Sequence, residues 1–297
     1  MIRVKKYIRK VFAPVSRLLL DVFRYTPIKR FIQPIAEKLH RGMTAQGIKK
    51  IKYLGFNWRL NIANFLERDI YLENWELPET ALCKNKIKEG MVVFDIGANI
   101  GYYSVLYSSY VGENGKVYAF EPIKHYFQHL KEHLEMNNVT NVQAEKLILS
   151  DKKGVLEIFP GESSARVDLP DGDQSAWKKH LKEEVLTITI DEYVKEQNIG
   201  RLDFIKLDVD GHESFVLEGA KRTLEEYSPL ILLEFCEEHQ SGAGRTCKQQ
   251  LDLITSYKYD LYDIHTMEKI NDLQSFEKRL RDNYDRSFDV LCIKHAT

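Results

Sequence analysis

The chain has 297 residues, of which 43% are hydrophobic and 29% charged, so it can bury one large core and still carry a smaller appended region. Its four cysteines, Cys83, Cys236, Cys247 and Cys292, show no Cys-x-x-Cys spacing, and no secretory signal is apparent; a reducing cytoplasm with buried, inert thiols is the expected setting. The net charge of −1 hides an asymmetry, because residues 1–50 carry thirteen Lys or Arg against Asp21 and Glu37, while no apolar run reaches the roughly 20 residues that a membrane span needs.

In chain order, the first expected element is a basic helical arm over 1–45, interrupted by Pro27 and Pro34. Val4, Ile8, Val11, Phe12, Val15, Leu18, Leu19, Val22 and Phe23 recur at helical spacing and form an apolar stripe flanked by cations. Two readings stand side by side. Residues 1–40 lie on an anionic membrane surface, or the helix packs on protein, either its own domain or a second subunit in a homo-oligomer. Nucleic acid is not an expected partner, since the arm lacks interleaved exposed aromatics and the rest of the chain is net acidic.

Residues 46–88 are expected to form a hairpin over Lys49–Asn61 and a helix over Trp75–Lys88. From residue 89 to 297 strands and helices alternate, which predicts an α/β domain with a mostly parallel sheet covered on both faces. Strands are predicted at Val92–Phe94, Lys116–Phe120, Val142–Leu149, Phe204–Leu207 and Leu230–Phe235, with a terminal pair near Tyr259–Tyr262 and Phe288–Ile293.

The first of these strands ends in Asp95-Ile96-Gly97-Ala98-Asn99-Ile100-Gly101. Glycines at this spacing turn a buried strand sharply into a helix and let a ligand approach the main chain. The second strand ends in Glu121, where a carboxylate can accept hydrogen bonds from both ribose hydroxyls of an adenosine. Asp95 suits the ammonium group of a methionine moiety. Together these features read as a site for S-adenosylmethionine, with Asp95, Gly97, Asn99, Gly101, Glu121 and Asp208 as its candidate residues. The spacing does not match the Gly-x-Gly-x-x-Gly pattern of dinucleotide sites.

Three blocks, Asp95–Ser104, Phe120-Glu121-Pro122 and Asp203-Phe204-Ile205-Lys206-Leu207-Asp208-Val209-Asp210-Gly211-His212-Glu213, closely resemble the FkbM-type methyltransferases and occur in that family's order. The likeness runs from about Glu89 to Lys294. Asp210 stands where the family usually has Glu. The resemblance implies a Rossmann-like class I methyltransferase fold with a seven-stranded sheet. It also implies S-adenosylmethionine-dependent O-methylation of a hydroxyl, often on a sugar of a surface polysaccharide, a lipid-linked glycan or a related metabolite.

Methyl transfer to a hydroxyl needs in-line geometry and a base. Asp208 follows the Phe204–Leu207 strand and is expected at its carboxyl end, as a methyl-pocket carboxylate. His212 or Glu213 is the expected proton acceptor. Asp210 has a second reading, as N-cap of the helix beginning near His212. Residues 151–184 interrupt the alternation and are either an acceptor-binding segment or a surface excursion with a hairpin at Val155–Phe159. His125, His129 and His133 recur every four residues on a helix; they are read as a solvated face, and no metal site is assigned. Two rival functions remain. One is a metal-dependent glycosyltransferase using Asp208-Val209-Asp210, and the other is a non-catalytic cofactor-binding partner of a glycan-assembly complex.

Overall fold

The computed structural model describes residues 47–160, 165–167 and 182–295. The predicted basic arm and most of the loop-like stretch between Asp151 and Glu184 lie outside those residues. The chain divides into two compact units, Met1–Leu77 and Pro78–Thr297. The division falls within the helix expected at Trp75–Lys88, most of which lies in the larger unit.

In the first unit β1 (Ile48–Tyr53) and β2 (Phe56–Asn61) form the expected antiparallel hairpin. Leu54 and Gly55 both have positive φ, which matches the turn to the twist of the strands. A short helix follows, α1 (Phe65–Tyr71), capped by the Asn64 side chain accepting from the Glu67 amide.

The second unit starts with α2 (Leu77–Lys86) and is built on β3 (Val92–Ile96), β4 (Lys116–Phe120), β5 (Val142–Glu145), β10 (Phe204–Leu207), β11 (Leu230–Cys236), β12 (Tyr259–Asp263) and β13 (Ser287–Lys294). They form one sheet in the order β12-β13-β11-β10-β3-β4-β5. β11, β10, β3, β4 and β5 are mutually parallel, whereas β13 runs antiparallel to both β11 and β12. From β3 the chain winds outward through β4 to β5, then returns to the other side of β3 as β10. The order therefore reverses between β3 and β10, the place where open α/β sheets hold their ligands. This is the Rossmann-like, seven-stranded, mostly parallel sheet that the sequence predicts.

Side-chain alternation divides the sheet into two faces. Phe94, Ile96, Phe120, Ile205, Leu207, Ile231 and Leu233 enter one core cluster with residues of α5 (Ile190–Glu196), α6 (Glu213–Glu218), α7 (Lys221–Tyr227), α9 (Cys247–Ser256) and α10 (Leu273–Asp282). The register places Asp95 level with Ala119 and with Lys206 on the opposite face. There α3 (Tyr102–Val111) packs against β3 and β4. No helix among the described residues is long and apolar enough to cross a membrane. All four cysteines are buried, and none is in a disulfide.

The predicted strand Val142–Leu149 is two strands. Its first half pairs with β4, and the Glu121 amide donates to the Glu145 carbonyl at 3.1 Å just past the end of β4. With no further partner there, Ile148–Leu149 leaves as β6 and joins β7 (Gly154–Pro160), β8 (Ala165–Val167) and β9 (Glu183–Ile188) in a separate four-stranded sheet, ordered β6-β9-β7-β8. The segment expected as a loop or an isolated hairpin is thus anchored by an organised sheet.

Asp203 ties the first turns of the two central strands together. Its Oδ2 accepts from the Val92 amide at 2.8 Å, and its own amide donates to the Val92 carbonyl at 2.9 Å. Asp203→Ala should lower unfolding stability by about 1–3 kcal/mol. A urea midpoint equal to that of the unaltered protein would show that the β3–β10 junction does not depend on this carboxylate.

Candidate functional site

The carboxyl ends of β3, β4, β10 and β11 lie along one edge of the sheet, and two buried charged residues sit on these strands. Asp95 is 1% exposed and Lys206 is 4% exposed, level with each other on adjacent parallel strands. Ser104, from the first turn of α3, donates to Asp95 Oδ2 at 2.5 Å. Asp95 Oδ1 is buried without a hydrogen-bond partner. Burial raises the Asp95 pKa, opposed by the Lys206 charge and the Ser104 hydroxyl. Lys206 lies under the Tyr103 ring, 4.9 Å from its centroid, and donates to Asp208 Oδ2 at 2.5 Å. A lysine inside the apolar strand Phe-Ile-Lys-Leu is a sequence signal that was overlooked.

The loop after β3 folds across the end of β4, where the Gly97 and Ala98 amides both donate to the Phe120 carbonyl at 3.0 Å. Gly97 has φ 87°, and a β-carbon there would collide with the Asp208 carbonyl oxygen. Gly101, also at positive φ, packs so closely on Leu130 that a side chain would not fit. The sequence predicts that these glycines let a ligand approach; they also let β10 and α4 (Lys124–Met136) close on the loop.

Asn99 also takes a left-handed conformation, with its own Oδ1 accepting from the Ile100 amide. Glu121 fastens this loop: Oε2 accepts from the Asn99 amide and Oε1 from the Ile123 amide, both at 2.8 Å. Glu121 is 4% exposed, and burial pushes its carboxyl up to about 8. When ionised, each oxygen keeps a second lone pair for an incoming hydroxyl; when protonated, one of them donates instead.

His133 secures the same loop from α4, with Nδ1 2.7 Å from the Ile100 carbonyl. It is buried, His129 is half-buried and His125 is exposed. The histidine row read as a solvated face therefore runs from solvent into the core.

After β10 the chain turns through Asp208, Asp210 and Gly211. Asp210 has φ 51° and is not a helix cap; His212 occupies the N-cap position of α6. His212 is 8% exposed, stacks on Phe215, and has Nε2 2.9 Å from Ser150 Oγ. Burial lowers its pKa to about 4. Glu213 is 1% exposed, accepts from the Val209 amide at 2.9 Å, from the Gly211 amide at 3.0 Å and from Gln240 Nε2 at 2.5 Å, and burial raises its pKa.

His212 is turned to Ser150, and Glu213 is engaged with the loop backbone and Gln240, so the proton-acceptor role expected of either residue has to compete with these contacts. Together they shape the turn that presents Asp208 and Asp210, which are 27% and 32% exposed at the side chain.

Sequence reasoning missed His239, on α8 (Glu237–Gly242). Its Nδ1 lies 3.4 Å from Asp210 Oδ1 and 3.6 Å from Glu234 Oε2. Its neighbours Cys236 and Glu234 raise its pKa, opposed by burial. Nothing in the local sequence links His239 to Asp210; only the pairing of β10 with β11 brings them together.

The methyltransferase FkbM domain profile matches residues 95–261, more than half of the chain. The chain belongs to the FkbM methyltransferase family. This replaces the glycosyltransferase reading of Asp208-Val209-Asp210. The chain is 24% identical over 190 residues to 2-O-methyltransferase NoeI of Sinorhizobium fredii, covering 58% of this chain and 74% of that protein. It is 26% identical over 151 residues to hexuronic acid methyltransferase AglP of Haloferax volcanii, covering 51% and 59%. The crystal structure of methyltransferase FkbM from Methylobacillus flagellatus KT aligns with 68% of this chain and 43% of its own, at 17% identity and a TM-score of 0.41.

Glu121 makes stability depend on pH. Its carboxyl is raised from an ordinary value near 4.5 to about 8, so its contribution is complete below about pH 4.5 and is lost as pH rises through 8. In Glu121→Gln an amide N–H must face one of the two backbone donors, and that variant should melt lower than the unaltered protein at pH 5. The gap should narrow by pH 9. Parallel melting curves across that range would show that Glu121 does not bind its proton in the folded state.

Proposed function

We propose that this protein is an S-adenosylmethionine-dependent O-methyltransferase acting on a sugar hydroxyl of a surface polysaccharide, lipid-linked glycan or related metabolite. The observation that carries the reading is the buried Asp95 carboxylate, one oxygen held by Ser104 and the other without a partner, at the topological switch of the sheet. A buried anion with an open oxygen suits a cationic ligand group such as the ammonium of the donor. Glu121 and the Gly97–Gly101 loop would hold the ribose. When bound, the donor supplies a methyl group on a positively charged sulfur.

The chain's own residues then have a simple task. Lys206 fixes Asp208 Oδ2, so the carboxylate meets an acceptor hydroxyl in one orientation and takes its proton. A carbon–oxygen bond forms as the carbon–sulfur bond breaks, and the bonding pair stays with sulfur as a neutral thioether. The sugar class is supported by the names of the relatives, one a 2-O-methyltransferase and the other a hexuronic acid methyltransferase. The expected site of action is cytoplasmic, with the basic residues 1–40 resting on an anionic membrane that carries the glycan acceptor.

Isothermal titration with S-adenosylmethionine and S-adenosylhomocysteine, followed by methyl transfer to hexose and hexuronic acid glycosides, tests this reading. Asp95→Asn should weaken donor binding by tenfold or more. Asp208→Asn should keep donor affinity and lose turnover by about 10²–10⁴-fold. Binding of a nucleotide sugar in place of the methyl donor would refute the assignment, and donor binding without transfer to any glycan would favour the non-catalytic partner.

A further inference from the structure

Asp210, Glu234 and His239 each offer one ligand-type atom, and these atoms all lie within 4.8 Å of one another. Two of the separations are 3.4 and 3.6 Å, from His239 Nδ1 to Asp210 Oδ1 and to Glu234 Oε2. Ligands about 2.0–2.2 Å from one metal ion stand roughly 3–3.6 Å apart on a tetrahedral or octahedral edge. The three residues come from the turn after β10, the end of β11 and α8. Their side chains are 32%, 12% and 29% exposed, half-sheltered and still reachable by solvent.

The protein holds these elements together by specific means. Gly211 has φ 105°, and a β-carbon there would collide with the His239 carbonyl oxygen, so the Asp210 turn rests directly on the backbone of α8. Next to His239, Gln240 donates to Glu213 Oε2 and accepts from Ser214 Oγ at 3.1 Å, which bolts α8 to the base of the same turn.

We infer that Asp210, Glu234 and His239 form a binding site for one divalent first-row transition-metal ion, of the Mn²⁺ or Zn²⁺ class, at the acceptor side of the crevice. One imidazole nitrogen with two carboxylates suits such borderline ions better than Mg²⁺, which prefers an all-oxygen shell. Three protein ligands leave positions open. Resting on the methyltransferase reading, those positions take an acceptor hydroxyl and lower its pKa; its proton passes to Asp208, and the resulting alkoxide bonds to the methyl carbon as the carbon–sulfur bond breaks and its pair stays on sulfur. Substitution at His239 thus affects acceptor activation and not donor binding.

The test uses the full chain, stripped with EDTA, dialysed and titrated with MnCl₂ by calorimetry and by the paramagnetic resonance of free Mn²⁺, with MgCl₂ alongside. S-adenosylmethionine affinity is measured on the same samples as a check on folding. One equivalent of Mn²⁺ should bind more tightly than Mg²⁺. Glu234→Gln and His239→Ala should each weaken it tenfold or more, with donor affinity kept, and His239→Gln serves as a second variant should the alanine form fail to fold. Methyl transfer should fall on stripping and return with Mn²⁺. Absence of Mn²⁺ binding, or binding that neither substitution weakens, would leave the cluster an internal ion pair only and overturn the site. Turnover equal in stripped and loaded protein would overturn its part in the reaction. Mn²⁺ binding that depends on both residues, in a chain with no affinity for the methyl donor, would uphold the site and refute the methyltransferase reading.

Discussion

The site depends on an opposed pair of charges buried in the middle of the sheet. Asp95 and Lys206 stand level on adjacent parallel strands, each almost wholly removed from water. An isolated buried ion is heavily penalised, so each requires the other's field and a local hydrogen bond, from Ser104 for the aspartate and to Asp208 for the lysine. Any slip of β10 against β3 by one residue would turn Lys206 into the opposite core and leave Asp95 without its counter-ion. The pair therefore fixes the register of the strands that flank the switch point, and with it the position of every loop at their carboxyl ends.

Those loops are locked to one another by carboxylates acting on backbone amides. Glu121 holds the Asn99 loop from the end of β4, and Glu213 holds the Val209–Gly211 turn from the start of α6. Both sit where a sequence reader looks for chemistry, and both have a structural task whatever ligand arrives. The acids presented at the crevice are the ones these anchors position: Asp208 and Asp210 beside Glu234.

Much of this was legible in the sequence. Apolar runs of strand length alternating with helical patterns gave the seven strands of the main sheet, because parallel strands buried on both faces have little alternative reading. The Gly97–Gly101 turn and Glu121 stood at the positions the fold requires. What escaped detection depends on contacts between distant parts of the chain. Val142–Leu149 reads as one strand because its hydrophobicity does not reveal that β4 ends at Phe120. The Glu183–Ile188 strand pairs with residues almost 30 positions earlier across a turn-rich segment. His212 and Glu213 carry residue types suited to proton transfer, yet their partners Ser150 and Gln240 lie on other elements, and only packing shows which way the side chains turn. His239 joined the site through the neighbour relation of two strands, which no local motif encodes.

The four-stranded sheet gives the fold a modular character. Its outer pieces, β7 and β8, hang on β9, and β9 leads straight into the capped start of α5, where Thr189 and Glu192 form a reciprocal pair of hydrogen bonds. The chain thus leaves the main sheet after β5 and re-enters it through a separately stabilised joint. Between those two points Ser150 still reaches back to the main domain, with its Oγ 2.9 Å from His212 Nε2. The main sheet therefore feels this smaller sheet through two joints, the crossing after β5 and the capped start of α5.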